Sequence, residues 1–147
     1  ANSISDVSDM ELFERHGKPV EEQTFSDRKA AMEAVLEKLR LEEFETAAVI
    51  EMTQERAKKS AAYLKERMEE LGMDTENRFS VVDRDSTHFK KGLTVTTFYL
   101  AKGLEFDQVF AIYTTQDNTP LHQQARYICA TRALHELYMY EVKASQD

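Results

Sequence analysis

Residues 94–113, with the sequence TVTTFYLAKGLEFDQVFAIY, constrain the fold more than any other stretch of the chain. Two runs rich in β-branched and aromatic residues, at 93–97 and 109–112, flank a polar interruption at 101–105. Such residues favour strands, and runs without strict alternation fit strands buried on both faces. The stretch therefore predicts a strand, a loop and a second strand, with polar residues held between two buried strands.

The remainder of the chain alternates helix and strand signals. The expected elements are a short strand at 11–14 with a turn at 16–19, a helix from the N-cap Ser26 to about Glu43, a strand at 46–51, a helix capped by Thr53 and ended by Gly72, a strand at 79–82, a loop at 83–91, a helix at about 121–133 and a strand at 137–142. Strands that alternate with helices predict an α/β layered domain with a mostly parallel central sheet flanked by helices.

Length and composition indicate one ordinary globular domain. The 147 residues, 41% of them hydrophobic, are enough for one core, with residues 1–10 as a frayed lead-in. No apolar run approaches the roughly 20 residues that span a bilayer, and no signal peptide is evident, so we expect no membrane partner and a cytoplasmic location. Cys129 is the only cysteine and no Cys/His cluster has metal-ligand spacing, so neither an internal disulfide nor a metal site is expected.

Charge is distributed unevenly along the chain. The formal net charge is −8, and the acidity lies in the first half, because basic and acidic residues balance from residue 88 onward. A free-standing nucleic-acid-binding module usually has a basic face, which this composition disfavours. A neutral second half can still meet a phosphate backbone if a partner domain supplies most of the positive charge.

Nucleotide hydrolysis by this chain alone is not expected. A P-loop needs a glycine-rich turn followed by Lys and Ser or Thr. The four glycines are Gly17, Gly72, Gly92 and Gly103, and the one glycine followed by lysine in the first half, Gly17, precedes Pro19 rather than a hydroxyl residue.

Two segments in the second half of the chain resemble signature motifs of the UvrD/Rep-type superfamily 1 helicases. Residues 97–106, TFYLAKGLEF, are similar to the family pattern T-x-H-x-A-K-G-L-E-F, with Tyr99 where the wider family has His. Residues 127–133, YICATRA, are similar to Y-V-A-x-T-R-A, and the two segments occur in the family order. Two features most resemble the helicase IV or HelD-like branch. They are Tyr99 in the first segment and residues 134–137, LHEL, which directly follow the second segment.

The resemblance implies the second, C-terminal RecA-like domain of an ATP-dependent DNA helicase or translocase, whose N-terminal RecA-like domain would hold ATP and Mg²⁺. It further implies an arginine finger at Arg132, nucleotide contacts from Gly103, Glu105 and Arg132, and single-stranded DNA contacts from Thr97, Tyr99 and Lys102. In the second motif the family's paired arginines are replaced by Gln123 and Gln124, so their contacts are not carried over.

Each of these residues also has a structural interpretation. Arg132 could pair with a nearby carboxylate such as Glu136, and Glu105 could simply be solvated. Lys102 could bond phosphates or the carbonyls of its own loop, and Tyr99 could belong to the core.

Two other functions are compatible with the sequence. HelD-like proteins are RNA polymerase partners, so the acidic first half and Tyr99 also fit a protein-binding module. The other alternative is an unrelated nucleotide- or protein-binding α/β domain whose motif matches are due to chance. We expect Arg132 near the carboxyl ends of the strands if the helicase reading holds, and far from them if it does not.

Overall fold

The computed structural model describes residues 20–42, 44–82 and 91–143. The expected lead-in at 1–10, the strand at 11–14, the turn at 16–19 and most of the loop at 83–91 lie outside the described residues.

The described residues form six strands and four helices. The strands are β1 (Val20–Phe25), β2 (Thr46–Glu51), β3 (Phe79–Val81), β4 (Gly92–Thr97), β5 (Phe106–Thr114) and β6 (Ala133–Val142). The helices are α1 (Arg28–Leu41), α2 (Gln54–Glu70), α3 (Thr75–Arg78) and α4 (Pro120–Thr131).

The six strands form one sheet in the order β1-β6-β5-β2-β4-β3, and every neighbouring pair is parallel. The prediction of a helix-flanked α/β domain is confirmed, with the sheet parallel throughout. All strands point the same way, so we call the side where they start the amino edge and the side where they finish the carboxyl edge.

Helices cover both faces of the sheet. Residues of α1 and α2 such as Met32 and Leu64 share one buried cluster with Val49 of β2 and Phe110 of β5. On the opposite face, Cys129 of α4 packs in a second cluster. Strands covered on both sides must be apolar on both sides, which explains their uninterrupted apolar runs.

Local sequence signals set the helix ends. Thr53 caps α2 as expected, since its side chain accepts a hydrogen bond from the Arg56 backbone N–H at 3.1 Å. At the other end Gly72 has φ +77°, and the Met73 N–H donates to the Met68 carbonyl at 2.8 Å, which completes a Schellman motif. For α1 the expected cap was wrong by one residue, because Asp27 and not Ser26 accepts the Ala30 N–H.

Two strands differ from expectation. β1 was not predicted, because its four central residues are polar and exposed and only its two end residues are partly buried. This is typical of an edge strand, which needs one neighbour for hydrogen bonds and little core contact. β6 begins at Ala133, four residues before the expected start, because it pairs with the first residues of β5.

Among the described residues no helix is both long and apolar enough to cross a lipid bilayer.

Candidate functional site

The two motifs are arranged around a segment that crosses the sheet from one edge to the other. Thr97 ends β4 at the carboxyl edge, and Glu105 immediately precedes β5 at the amino edge. Between them the Ala101 N–H donates to the Thr97 carbonyl at 3.0 Å and the Leu104 N–H donates to the Ala101 carbonyl at 3.0 Å. The candidate strand-binding residues Thr97 and Tyr99 are therefore close in sequence to Glu105 but lie toward the opposite edge.

Glu105 and Arg132, from two separate motifs, meet at the amino edge. They immediately precede β5 and β6, which are neighbours in the sheet. The Phe106 N–H donates to the Arg132 carbonyl at 2.9 Å, which joins the two segments directly. The sheet thus fixes the spacing of these two backbones.

The Arg132 side chain is half-buried, and its Nε donates to Thr131 Oγ1 at 3.3 Å. Among the described residues it forms no ion pair. The pairing with Glu136 considered above is not present, because Glu136 instead accepts hydrogen bonds from Gln108 and Tyr138. The guanidinium is consequently a cation at the amino edge that no described carboxylate neutralises.

The position of Arg132 contradicts the expectation stated above for a helicase domain, and that expectation was wrong because it applied the rule for the carboxyl edge to a residue at the end of a returning helix. Arg132 lies at the amino edge and not near the carboxyl ends of the strands. The reason is topological: α4 starts after β5 at the carboxyl edge and runs back to the start of β6, so its C-cap residue Arg132 must lie at the amino edge. The usual rule that ligands bind at the carboxyl ends of an open α/β sheet therefore does not locate this residue.

Glu105 is exposed at the amino edge, and Gly103 lies in the open segment that leads to it. Gly103 has φ +83°, a conformation that favours glycine, and no atom lies within 4 Å of the place a Cβ would occupy. Glu105 and Lys102 are exposed. An exposed carboxylate, an open glycine and an arginine without a carboxylate partner fit one side of a nucleotide site, with hydrogen-bond acceptors for hydroxyls and a cation for phosphate.

At the carboxyl edge the two candidate strand contacts differ. Tyr99 is 41% exposed and packs edge-on against Phe98, so it is not a core residue. Thr97 is completely buried, and its hydroxyl has no hydrogen-bond partner among the described residues. Tyr99 is free to stack on a base, whereas the Thr97 hydroxyl is not accessible in this conformation.

Residues 92–140 match the family model of the UvrD-like helicase C-terminal domain. This UvrD-like segment runs from β4 almost to the end of β6 and includes both motifs, that is, Thr97, Tyr99, Glu105 and Arg132. The match spans 49 of the 147 residues.

The fold is similar to a solved structure, the C-terminal domain of a possible DNA helicase from Lactobacillus plantarum. The TM-score is 0.63 at 23% sequence identity, over 85% of this chain and 73% of that chain. Similarity at this identity establishes the fold alone. No curated protein sequence shows significant similarity to the chain.

The UvrD-like segment contains a polar contact that the sequence analysis missed. Asp107 Oδ2 accepts hydrogen bonds from the Thr46 N–H at 3.1 Å and from its hydroxyl at 3.3 Å, and the Asp107 N–H donates to Thr46 Oγ1 at 3.0 Å. His135 Nε2 lies 3.6 Å from Asp107 Oδ1, and its ring stacks on Phe44. We call Phe44, Thr46, Asp107 and His135 the amino-edge clamp, because they join the starts of β2, β5 and β6.

A carboxyl pair lies near the clamp. Hydrogen-bonding contact with Glu136, together with burial, raises the pKa of the Glu42 carboxyl. Burial opposes ionisation of Glu136, but hydrogen bonds from Glu42, Tyr138 and Gln108 outweigh it and lower the pKa of this group.

A second polar group missed by the sequence analysis lies at the carboxyl edge. Glu51, fully buried at the end of β2, accepts from Arg28 Nη1 at 2.6 Å and from the hydroxyl of Ser60. The Arg28 guanidinium also donates to Ser60 Oγ at 3.0 Å. These contacts join the first residue of α1 and the second turn of α2 to the end of β2, but nothing in the local sequence pattern identifies them.

The described residues contain no group of three or more His, Cys, Asp or Glu side chains arranged to hold a metal ion.

Proposed function

We propose that the chain is the C-terminal motor domain of an ATP-dependent DNA helicase or translocase, and that it completes an ATP site held mainly by an N-terminal RecA-like domain. The observation that carries the proposal is the convergence of Glu105 and Arg132 at one edge of the sheet, from two motifs that the UvrD-like segment contains.

Arg132 would act as the arginine finger. A P-loop in the N-terminal domain would bind ATP and Mg²⁺, and the metal would neutralise charge on the phosphates. When the two domains close, the Arg132 guanidinium would meet the charge that develops on the transferred phosphoryl group. An arginine in this role increases the rate by roughly 10³ to 10⁵. Its lack of a described carboxylate partner supports the role, because the guanidinium need not first break an ion pair.

Glu105 and Gly103 would bind the nucleotide itself. The exposed Glu105 carboxylate suits acceptance of a ribose hydroxyl, and the open space beside Gly103 suits close approach of a ligand to the backbone. Tyr99 would stack on a base of single-stranded DNA and Lys102 would contact a phosphate. A contact from Thr97 would require the turn after β4 to open, since its hydroxyl is buried.

The test is ATP turnover, with and without single-stranded DNA, in the protein that carries both motor domains. We expect Arg132→Ala to reduce kcat by about 10³ or more while ATP binding is largely retained. The matched control is Arg40→Ala, which removes an exposed arginine at the end of α1 and is expected to leave turnover unchanged. Turnover by Arg132→Ala equal to that of the control would refute the arginine-finger role.

A second candidate is a HelD-like domain that binds RNA polymerase. The burial of the Thr97 hydroxyl favours it, because one of the implied strand contacts is not available on the surface. Binding to purified RNA polymerase and to an oligonucleotide, measured with wild type and Tyr99→Ala, separates the two. Loss of oligonucleotide affinity alone supports the strand-binding role, and loss of polymerase affinity alone supports the second candidate.

A further inference from the structure

The residues that follow Glu105 are held from both sides. On the β6 side the Phe106 N–H bonds the Arg132 carbonyl at 2.9 Å. On the β2 side Asp107 and Thr46 exchange three hydrogen bonds of 3.0 to 3.3 Å. Glu105 itself is exposed and ends an irregular segment, so its position depends mainly on what holds the two residues after it.

The Asp107–Thr46 contact lies where the sheet would otherwise lose its backbone hydrogen bonds. Pairing of β2 with β5 begins one residue later, at Ala47 and Gln108. Pairing of β5 with β6 is irregular between Phe106 and Gln108, because Leu134 and His135 of β6 face the single residue Asp107 of β5. Bulges direct the chain away from the regular ladder, and here side-chain bonds replace the missing backbone bonds.

We propose that Asp107 is a positioning residue that holds Glu105 in its nucleotide-binding position, through Thr46. The inference rests on the proposed function, in which Glu105 contacts the nucleotide. The Asp107 side chain is 20% exposed and its Oδ2 is used by Thr46, so it acts on the backbone and not on the ligand. His135 Nε2 lies 3.6 Å from the same carboxylate, and Phe44, just before β2, stacks on the His135 ring.

The experiment measures kcat and KM for ATP in the protein that carries both motor domains. Asp107→Ala removes the two bonds that Thr46 donates to the carboxylate and keeps the one from the Asp107 backbone N–H, whereas Asp107→Asn keeps an oxygen that accepts from Thr46. We expect Asp107→Ala to lower kcat/KM by about 10- to 100-fold, as small misplacements of binding groups do. Asp107→Asn should recover most of that loss. Asp74→Ala is the control, because this exposed carboxylate also accepts a backbone N–H, that of Asn77, before a different strand.

A double-mutant cycle tests whether Asp107 acts through Glu105. If it does, Asp107→Ala lowers kcat/KM in the wild-type background but changes it by less than about twofold in the Glu105→Ala background. An equal loss in both backgrounds would mean that the role is only structural, and the proposal would fail. A second cycle combines Thr46→Val with Glu105→Ala, and their effects on kcat/KM should again be non-additive. Additive effects would contradict the proposal that Asp107 acts through Thr46.

Failure of the proposed function gives a different result. If Glu105→Ala and Arg132→Ala both leave turnover intact, the nucleotide assignment and this inference fall together. If Arg132→Ala abolishes turnover but Asp107→Ala behaves like Asp74→Ala, only the positioning role is wrong. Amide hydrogen exchange on the chain itself is a measurement that needs no nucleotide. Asp107→Ala should accelerate exchange at the Thr46 and Phe106 N–H groups. Unchanged exchange would show that Asp107 does not hold these residues in place.

Discussion

Gly92, the first residue of β4, should be the least replaceable of the described glycines. Its φ is +98°, and a Cβ placed there would lie 2.2 Å from the backbone oxygen of Arg78. The left-handed conformation costs an alanine roughly 1–2 kcal/mol. Relief of the clash requires a backbone shift, which threatens the bond from the Gly92 N–H to the Glu45 carbonyl and the adjacent β3–β4 pairing, each hydrogen bond contributing about 1 kcal/mol. We therefore expect Gly92→Ala to lower the free energy of unfolding by about 3 kcal/mol or more.

Two other glycines supply the controls. Gly72 and Gly103 have φ of +77° and +83°, but neither has an atom within 4 Å of the Cβ position. Their alanine variants should carry only the conformational cost, about 1–2 kcal/mol. Urea denaturation of the three variants, analysed with a common slope, measures the differences. If Gly92→Ala is destabilised no more than Gly72→Ala, the clash argument is wrong.

Two further expectations concern buried and paired charges. Arg28→Met should cost about 3–5 kcal/mol in urea denaturation, because it leaves the fully buried Glu51 carboxylate without its arginine, and a loss below about 1 kcal/mol would contradict this. The pKa of Glu42 is raised above its ordinary value of 4.5, so the folded protein binds the Glu42 proton more tightly than the unfolded chain does. Wild type therefore loses stability as the pH rises from 4.5 through the pKa of the folded state. The free energy of unfolding of Glu42→Gln should match that of wild type at pH 4 and exceed it at pH 7. If the variant and wild type are equally stable at both pH values, contact with Glu136 does not shift the pKa of Glu42.

The central strands could be predicted from the sequence because they are covered on both faces. In β2, β4 and β5 almost every residue is buried, so the apolar run itself gives the strand. β1 gives no such signal, since its partner β6 lies more than a hundred residues away and the strand buries little. Its existence depends on long-range hydrogen bonding that no local pattern contains.

The candidate site was likewise predictable only in part, because some of its features depend on contacts between residues distant in the sequence. The motif residues were found through resemblance, and the sheet brings Glu105 and Arg132 together. Which edge they occupy follows from the direction of α4, and sequence reasoning placed Arg132 at the wrong one. The contact between Asp107 and Thr46 joins residues 61 positions apart, so it depends on the register of β2 against β5. Register of this kind is not visible in either segment alone.

The pairing of β1 with β6 has a consequence for synthesis of the protein on the ribosome. Val20 aligns with Leu137, so β1 emerges 117 residues before its only described neighbour in the sheet. At 5 to 20 residues per second this delay is roughly 6 to 23 s. During that time β6, the strand that β1 pairs with, has not been made, and the exposed Glu21 and Glu22 protect β1 from pairing with other chains, because charged residues on strand edges oppose aggregation.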